Sequence, residues 1–105
     1  MDYLDWLPSR ITELRVQKGI SARDMSLSLG QSESYINKIE NKRILPSMAG
    51  FIYICEYLEI TPQEFFNTDC PAPQKSKEVL SELKKLTATQ ADHVMLVIKD
   101  IIGNK

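Results

Sequence analysis

Hydrogen-bonding side chains are concentrated between residues 31 and 43, in the segment QSESYINKIENKR. Its two isoleucines, Ile36 and Ile39, are three positions apart and would share the inner face of a helix. The opposite face would carry a carboxylate, a hydroxyl, an amide and an ammonium group, at Glu33, Ser34, Asn37 and Lys38. Such groups form the hydrogen bonds that distinguish one base edge from another, so the segment has the chemistry to bind nucleic acid.

The residues before this segment fit a helix-turn-helix. Ser26 is followed four positions later by Gly30, and six positions further on by Ile36. A small residue lets two short helices cross closely, and a glycine tolerates the positive φ that the turn between them needs. Ile36 can then pack back on the first helix. A second helix held in this way presents its other face to a DNA major groove.

The remaining segments have helical patterns, without sustained alternation of apolar and polar residues and without Asn-Gly or Asp-Gly dipeptides. Proline and cap residues predict where helices begin. The predicted helices cover about 8–18, 21–30 and 32–41, and two more begin after Ser47 and Thr61. The Pro-containing stretch 67–76 is typical of a linker, and two further helices follow it. The sequence therefore predicts an all-α chain with one domain at 1–69 and a C-terminal helical extension at 70–105.

The last predicted helix is apolar over most of its circumference, which requires more than one partner surface. One interpretation is that it packs on the five-helix core and on Trp6. The other is that it forms a homodimer interface, and both can hold together. The residues assigned to that interface are Val94, Leu96, Val97, Ile98, Ile101 and Ile102.

Charge is distributed unevenly along a chain whose net charge is −1. Residues 8–46 contain seven Lys or Arg against four acidic residues, whereas residues 47–105 contain six against eight. The N-terminal half is therefore the mildly basic side, and we expect only modest nonspecific affinity for phosphate.

Enzymatic and metal sites are not predicted. The single histidine, His93, has no suitably spaced cysteine or carboxylate partner, and two cysteines with one histidine fall short of four zinc ligands. We therefore expect neither catalysis nor a cofactor. The N-terminal residues do not resemble a signal peptide and no apolar run approaches about 20 residues, so a cytoplasmic location is expected.

Four segments, ISARDMSLSLG, QSESYINKIEN, KRILPS and ITPQEFF, together resemble the Cro and lambda-repressor class of helix-turn-helix regulators, often called the XRE family. The similarity covers about residues 10–67. It implies a five-helix lambda-repressor-like DNA-binding domain followed by two C-terminal helices. It also implies a transcriptional repressor that binds double-stranded DNA as a homodimer and reads the major groove with helix 32–41.

The resemblance assigns roles to individual residues. Ser34, Asn37 and Lys38 would contact base edges, and Tyr35 would stack on a sugar or reach a phosphate. An ion pair between Arg15 and Glu40 would lock the recognition helix to the first helix. The full set of implied DNA contacts is Ser21, Arg23, Gln31, Ser32, Glu33, Ser34, Tyr35, Asn37, Lys38, Asn41, Lys42 and Arg43.

Three positions depart from the family pattern. Ala22 replaces a glutamine that contacts phosphate, and Lys42 replaces a glycine after the recognition helix, so Asn41 is expected to take over the cap. Glu33 would repel phosphate unless it accepts a hydrogen bond from a cytosine amino group. These departures support an alternative, in which the chain is an antitoxin or interaction adaptor that uses its C-terminal helices to bind a protein and has weak or lost DNA binding.

Overall fold

The computed structural model describes residues 2–103, and within that range the chain forms α-helices and no strands. The predicted all-α class is confirmed. The helices are α1 (Tyr3–Lys18), α2 (Ala22–Ser28), α3 (Tyr35–Glu40), α4 (Met48–Tyr57), α5 (Pro62–Phe66), α6 (Pro73–Leu83) and α7 (Ala88–Gly103). The chain divides after Pro73 into two compact units.

Three helices of the first unit start where their cap residues predicted. The side chains of Ser21, Ser47 and Thr61 each accept a hydrogen bond from the backbone N–H three residues on. At Thr61 the interaction is reciprocal, because Glu64 accepts from the Thr61 N–H and completes a capping box.

Helix α1 begins earlier than predicted. Asp2 caps it by accepting from the Leu4 N–H, so the helix starts at Tyr3 and Pro8 lies inside it. Pro8 is the sixth residue of the helix, and it removes one intrahelical hydrogen bond, the one that an N–H at this position would donate to the Leu4 carbonyl. The added turn allows Trp6 to stack on Phe66 and to meet the edge of Phe65, with ring centroids 5.7 Å apart in both pairs.

Helices α1 to α4 all end in the same way, with one residue in the left-handed conformation. These residues have φ values of 75° at Gly19, 74° at Gly30, 63° at Lys42 and 59° at Glu59. At each end, the N–H of that residue donates to the carbonyl three residues earlier, and the N–H of the following residue donates to the carbonyl five residues before it. This is the Schellman arrangement, which satisfies the last carbonyls of a helix.

The core of the first unit is formed by one cluster of apolar side chains from α1 to α5. Burial raises the pKa of the Cys55 thiol in this cluster to about 11. The cluster consists of Ile11, Leu14, Met25, Ile36, Ile39, Phe51, Ile54, Cys55, Leu58, Ile60 and Phe65.

A buried arginine fastens the end of the first unit to α1. Arg10 is 4% exposed, and its guanidinium donates to the backbone carbonyls of Glu64, Phe65, Cys70 and Pro71 at 2.8–3.1 Å. A buried guanidinium is stable only when its donors are satisfied, and these carbonyls satisfy them. Residues 70–71, which lie in the predicted C-terminal extension, are thereby held against α1 in the first unit.

The second unit contains α7 and all but the first residue of α6. The predicted linker at 67–76 is shorter than expected, because α6 already begins at Pro73, a position at which proline fits a helix. Thr87 and Gln90 form a capping box ahead of α7. Between Gln74 and Gly103 no residue is buried.

Candidate nucleic-acid interface

Ser26 joins α2 to the start of α3. It is fully buried, its hydroxyl donates to the Ala22 carbonyl at 2.7 Å, and its Oγ accepts from the Ile36 N–H at 2.9 Å. Gly30 makes the turn between the two helices, and Ile36 is fully buried beneath them. The sequence indicated that a small residue was needed at position 26 but not that its hydroxyl would bond the recognition helix.

The C-terminal end of α3 is joined to α1 by an ion pair. Arg15 Nε donates to Glu40 Oε2 at 2.8 Å and Arg15 Nη2 donates to Glu40 Oε1 at 3.0 Å. Thr12 donates to the same carboxylate at 2.7 Å, and Arg15 Nη1 donates to the Ile20 carbonyl at 2.8 Å. The hydrogen bond from Arg15 to Glu40 raises the pKa of the guanidinium. The two charged side chains are only 16% and 12% exposed, so the contact is a partly buried bidentate pair.

The recognition helix is shorter than the predicted 32–41. It covers Tyr35–Glu40, and residues 32–34 form a turn closed by a hydrogen bond from the Tyr35 N–H to the Ser32 carbonyl. Ser34 occupies the N-cap position but makes no side-chain cap bond. A local cap is less necessary here because Ser26 satisfies the Ile36 N–H from α2.

Most of the residues implied as DNA contacts lie on one exposed stretch around α3. Ser34 and Tyr35 are half-buried, and the others around α3 are exposed: Gln31, Ser32, Glu33, Asn37, Lys38, Asn41, Lys42 and Arg43. Ser21 and Arg23, at the start of α2, are also exposed. The Asn41 side-chain amide donates to Asn37 Oδ1 at 2.7 Å. Lys38 supplies the long cationic side chain of α3.

Tyr35 packs against the core rather than projecting fully from α3. An added Cβ on Gly50 of α4 would stand only 2.8 Å from the Tyr35 hydroxyl oxygen, so this hydroxyl lies against the first turn of α4. Burial of the ring raises the pKa of the Tyr35 phenol. The side chain therefore spaces α3 from α4, a role that the sequence pattern did not indicate.

The end of α3 differs from the expectation that Asn41 would adopt the left-handed conformation. Asn41 has φ −91°, whereas Lys42 has φ 63° and itself adopts the left-handed conformation. The Lys42 ammonium donates to Asp5 Oδ1 at 2.8 Å, and this hydrogen bond lowers the pKa of the Asp5 carboxyl. Lys42 therefore links the end of α3 to the first turn of α1.

A second exposed ion pair crosses from α2 to the turn before α3. Arg23 Nε donates to Glu33 Oε2 at 3.2 Å, and the two side chains are 64% and 67% exposed. Two of the implied DNA contacts, Arg23 and Lys42, are thus each paired with a carboxylate.

The residues assigned to a dimer interface lie on α7. Val94 is half-buried, and the other five are exposed: Leu96, Val97, Ile98, Ile101 and Ile102. Ile98 is the most covered of these five at 40% exposed, and Leu96 and Ile101 are the least covered at 64%.

Other kinds of site are not formed by the described part of the chain. Among residues 2–103, His, Cys, Asp and Glu side chains form no group of three or more that could hold a metal ion. No helix in that range combines the length and the apolar character needed to cross a membrane.

A family model described as a helix-turn-helix domain matches residues 9–69, which is more than half of the chain. The chain belongs to the helix-turn-helix domain family. Comparison with curated proteins and with solved structures gave no significant match. This helix-turn-helix protein is a DNA-binding regulator of transcription, and the matched range contains α2, the turn, α3 and the ion pair that joins α3 to α1.

Proposed function

We propose that this protein is a transcriptional repressor of the lambda-repressor-like (XRE) class, which binds a specific double-stranded DNA sequence as a homodimer. The observation that carries the proposal is the double anchorage of α3. Ser26 holds its first turn, and Arg15 holds its last turn through Glu40. A short helix fixed at both ends keeps its outer side chains in one geometry, which is what base recognition requires.

The exposed residues divide into two classes of contact. Ser34, Asn37 and Lys38 have the donors and acceptors for base edges, and a lysine ammonium suits the acceptors of guanine. The flanking residues set the register by binding phosphates. These are Ser21, Arg23, Gln31, Ser32, Asn41, Lys42 and Arg43, with Tyr35 at the edge of the set.

A homodimer would supply the specificity that one short helix lacks. Eight apolar side chains of α6 and α7 are 40–64% exposed: Val79, Leu80, Met95, Leu96, Val97, Ile98, Ile101 and Ile102. Because no residue between Gln74 and Gly103 is buried, a second copy would supply an apolar partner for these side chains. Two linked α3 helices would then bind half-sites about 34 Å apart on the duplex.

Repression follows from occupancy alone. A dimer seated on its operator excludes other proteins from the same DNA, so neither a catalytic group nor a cofactor is needed. This form of regulation requires only the α3 surface and the dimer contact.

The test is a selection from random duplex DNA at near-physiological salt. The wild type should enrich a palindromic motif, and the Ser34→Ala/Lys38→Ala variant should lose or shift it, since one good base contact contributes about 1–3 kcal/mol of discrimination. A well-folded wild type that enriches no motif would contradict the proposal.

A second function, as an antitoxin or interaction adaptor, is favoured by one observation. Arg23 and Lys42 are paired with Glu33 and Asp5, which reduces the positive charge available to phosphate. In that case α7 would bind another protein. A folded, monomeric chain without DNA preference would direct pull-down experiments to residues 88–103.

A further inference from the structure

Glu33 places a carboxylate on a surface that would face the negatively charged DNA backbone. It lies in the turn before α3, and its partner Arg23 lies in the first turn of α2. The contact uses the Nε of Arg23, at 3.2 Å from Glu33 Oε2. Within residues 2–103, the two terminal nitrogens of the same guanidinium make no hydrogen bond, so they remain available to an anion.

The pair is not a stability element. Both side chains are about two-thirds exposed, and ion pairs of that kind contribute little to the folded state. Its position, between the two helices that would lie against DNA, points instead to a role in binding.

We propose that Glu33 selects cytosine in each half-site, and that Arg23 makes this possible by holding the carboxylate while binding a phosphate through its terminal nitrogens. The inference rests on the proposed DNA recognition by the α3 surface. Arg23 acts here as a positioning residue for Glu33.

The choice of base follows from the pattern of groups in the major groove. A carboxylate only accepts hydrogen bonds, and cytosine presents an amino donor there without an adjacent acceptor. Adenine presents its amino group beside the N7 acceptor, which repels a carboxylate. Guanine and thymine present acceptors to the same groove, so cytosine is the base that fits Glu33.

The role of Arg23 follows from the geometry of its guanidinium. An unpaired carboxylate near phosphates would weaken binding, whereas a planar guanidinium can bond two anions along different edges. Nε therefore bonds the Glu33 carboxylate, while the terminal nitrogens bond a phosphate of the DNA backbone. A lysine at position 23 would supply the charge but not the fixed fork.

The first experiment compares selections from random duplex DNA for the wild type, Glu33→Gln and the matched control Glu59→Gln. Glu59 is also an exposed carboxylate in an ion pair, with Lys18 at 3.4 Å, but it follows α4. The wild type and Glu59→Gln should enrich the same motif with one cytosine in each half-site. Glu33→Gln should replace that cytosine by adenine, which glutamine bonds at N6 and N7, with a change in relative affinity of about 5- to 150-fold.

The second experiment measures the affinity of the selected duplex by fluorescence anisotropy across a range of salt. Arg23→Ala should weaken binding and reduce the slope of log affinity against log salt by about 1. Arg23→Lys should restore the slope but only part of the affinity. In the Glu33→Gln background, Arg23→Ala should cost less, because no carboxylate then needs a partner.

Circular dichroism of each variant shows whether it is folded. A wild-type motif that Glu33→Gln leaves unchanged would overturn the inference while leaving the proposed function in place. An equal cost of Arg23→Ala in both backgrounds would overturn the role given to Arg23. Absence of any wild-type motif would remove the proposed function and the inference together.

Discussion

The Oγ of Ser26 accepts a hydrogen bond from the Ile36 N–H at 2.9 Å, across ten residues of chain. The same hydroxyl donates to the Ala22 carbonyl, so its one donor is used and an oxygen lone pair remains for α3. One small side chain therefore lets α2 and α3 approach closely and also satisfies a buried donor at the start of the recognition helix.

Ser26→Ala should destabilise the domain by about 1–3 kcal/mol, because it leaves the buried Ile36 N–H without an acceptor. The free energy of unfolding in urea measures the effect. The control is Ser28→Ala, which removes an exposed hydroxyl from the same helix and should change stability by less than about 0.5 kcal/mol. Equal values for the two variants would contradict the role of the hydroxyl.

Glu40→Ala should destabilise the domain by about 3 kcal/mol, because it leaves the Arg15 guanidinium partly buried and unpaired. Glu59→Ala is the matched control. It removes a carboxylate that is 69% exposed and pairs with Lys18, so its effect should stay below about 1 kcal/mol. Thermal denaturation distinguishes them, and equal melting temperatures would show that the Arg15–Glu40 pair does not hold α3.

A charge on the apolar side of α7 should separate the proposed dimer. Ile101→Glu should shift the sedimentation coefficient toward the monomer and lower operator affinity steeply, because burying an unpaired carboxylate is unfavourable. His93→Glu adds the same charge at an exposed position of α7 and should alter neither property strongly. A monomeric wild type that binds a palindrome tightly would rule out this arrangement.

The features that could be predicted from sequence are mostly local. Ser21, Ser47 and Thr61 each bond a backbone N–H only three residues away, so a short motif contains the whole interaction. The same holds for Thr87 with Gln90. Helix starts defined by such caps were therefore predicted from residue type and spacing.

Contacts between distant residues account for what the sequence did not reveal. The Arg10 acceptors are backbone carbonyls 54–61 positions away, and residue type gives no indication of them. The start of α3 depends on Ser26 in another helix, so the local pattern placed it too early. The pairs formed by Arg23 and Lys42 also join separate elements, and many alternative partners would have fitted the sequence equally well.

Lys42 and Glu59 allow backbone strain to be separated from DNA contact. Both adopt positive φ with a Cβ present, which disfavours the left-handed conformation. Lys42→Gly and Glu59→Gly should each raise the free energy of unfolding by up to about 1 kcal/mol, with part of the gain offset by the greater freedom of glycine in the unfolded chain.

Operator affinity should fall only for Lys42→Gly, because that residue follows the recognition helix and Glu59 follows α4. Urea unfolding and fluorescence anisotropy on the same samples measure the two effects. Equal losses of affinity for both variants would show that position 42 acts through the backbone and not through a phosphate contact.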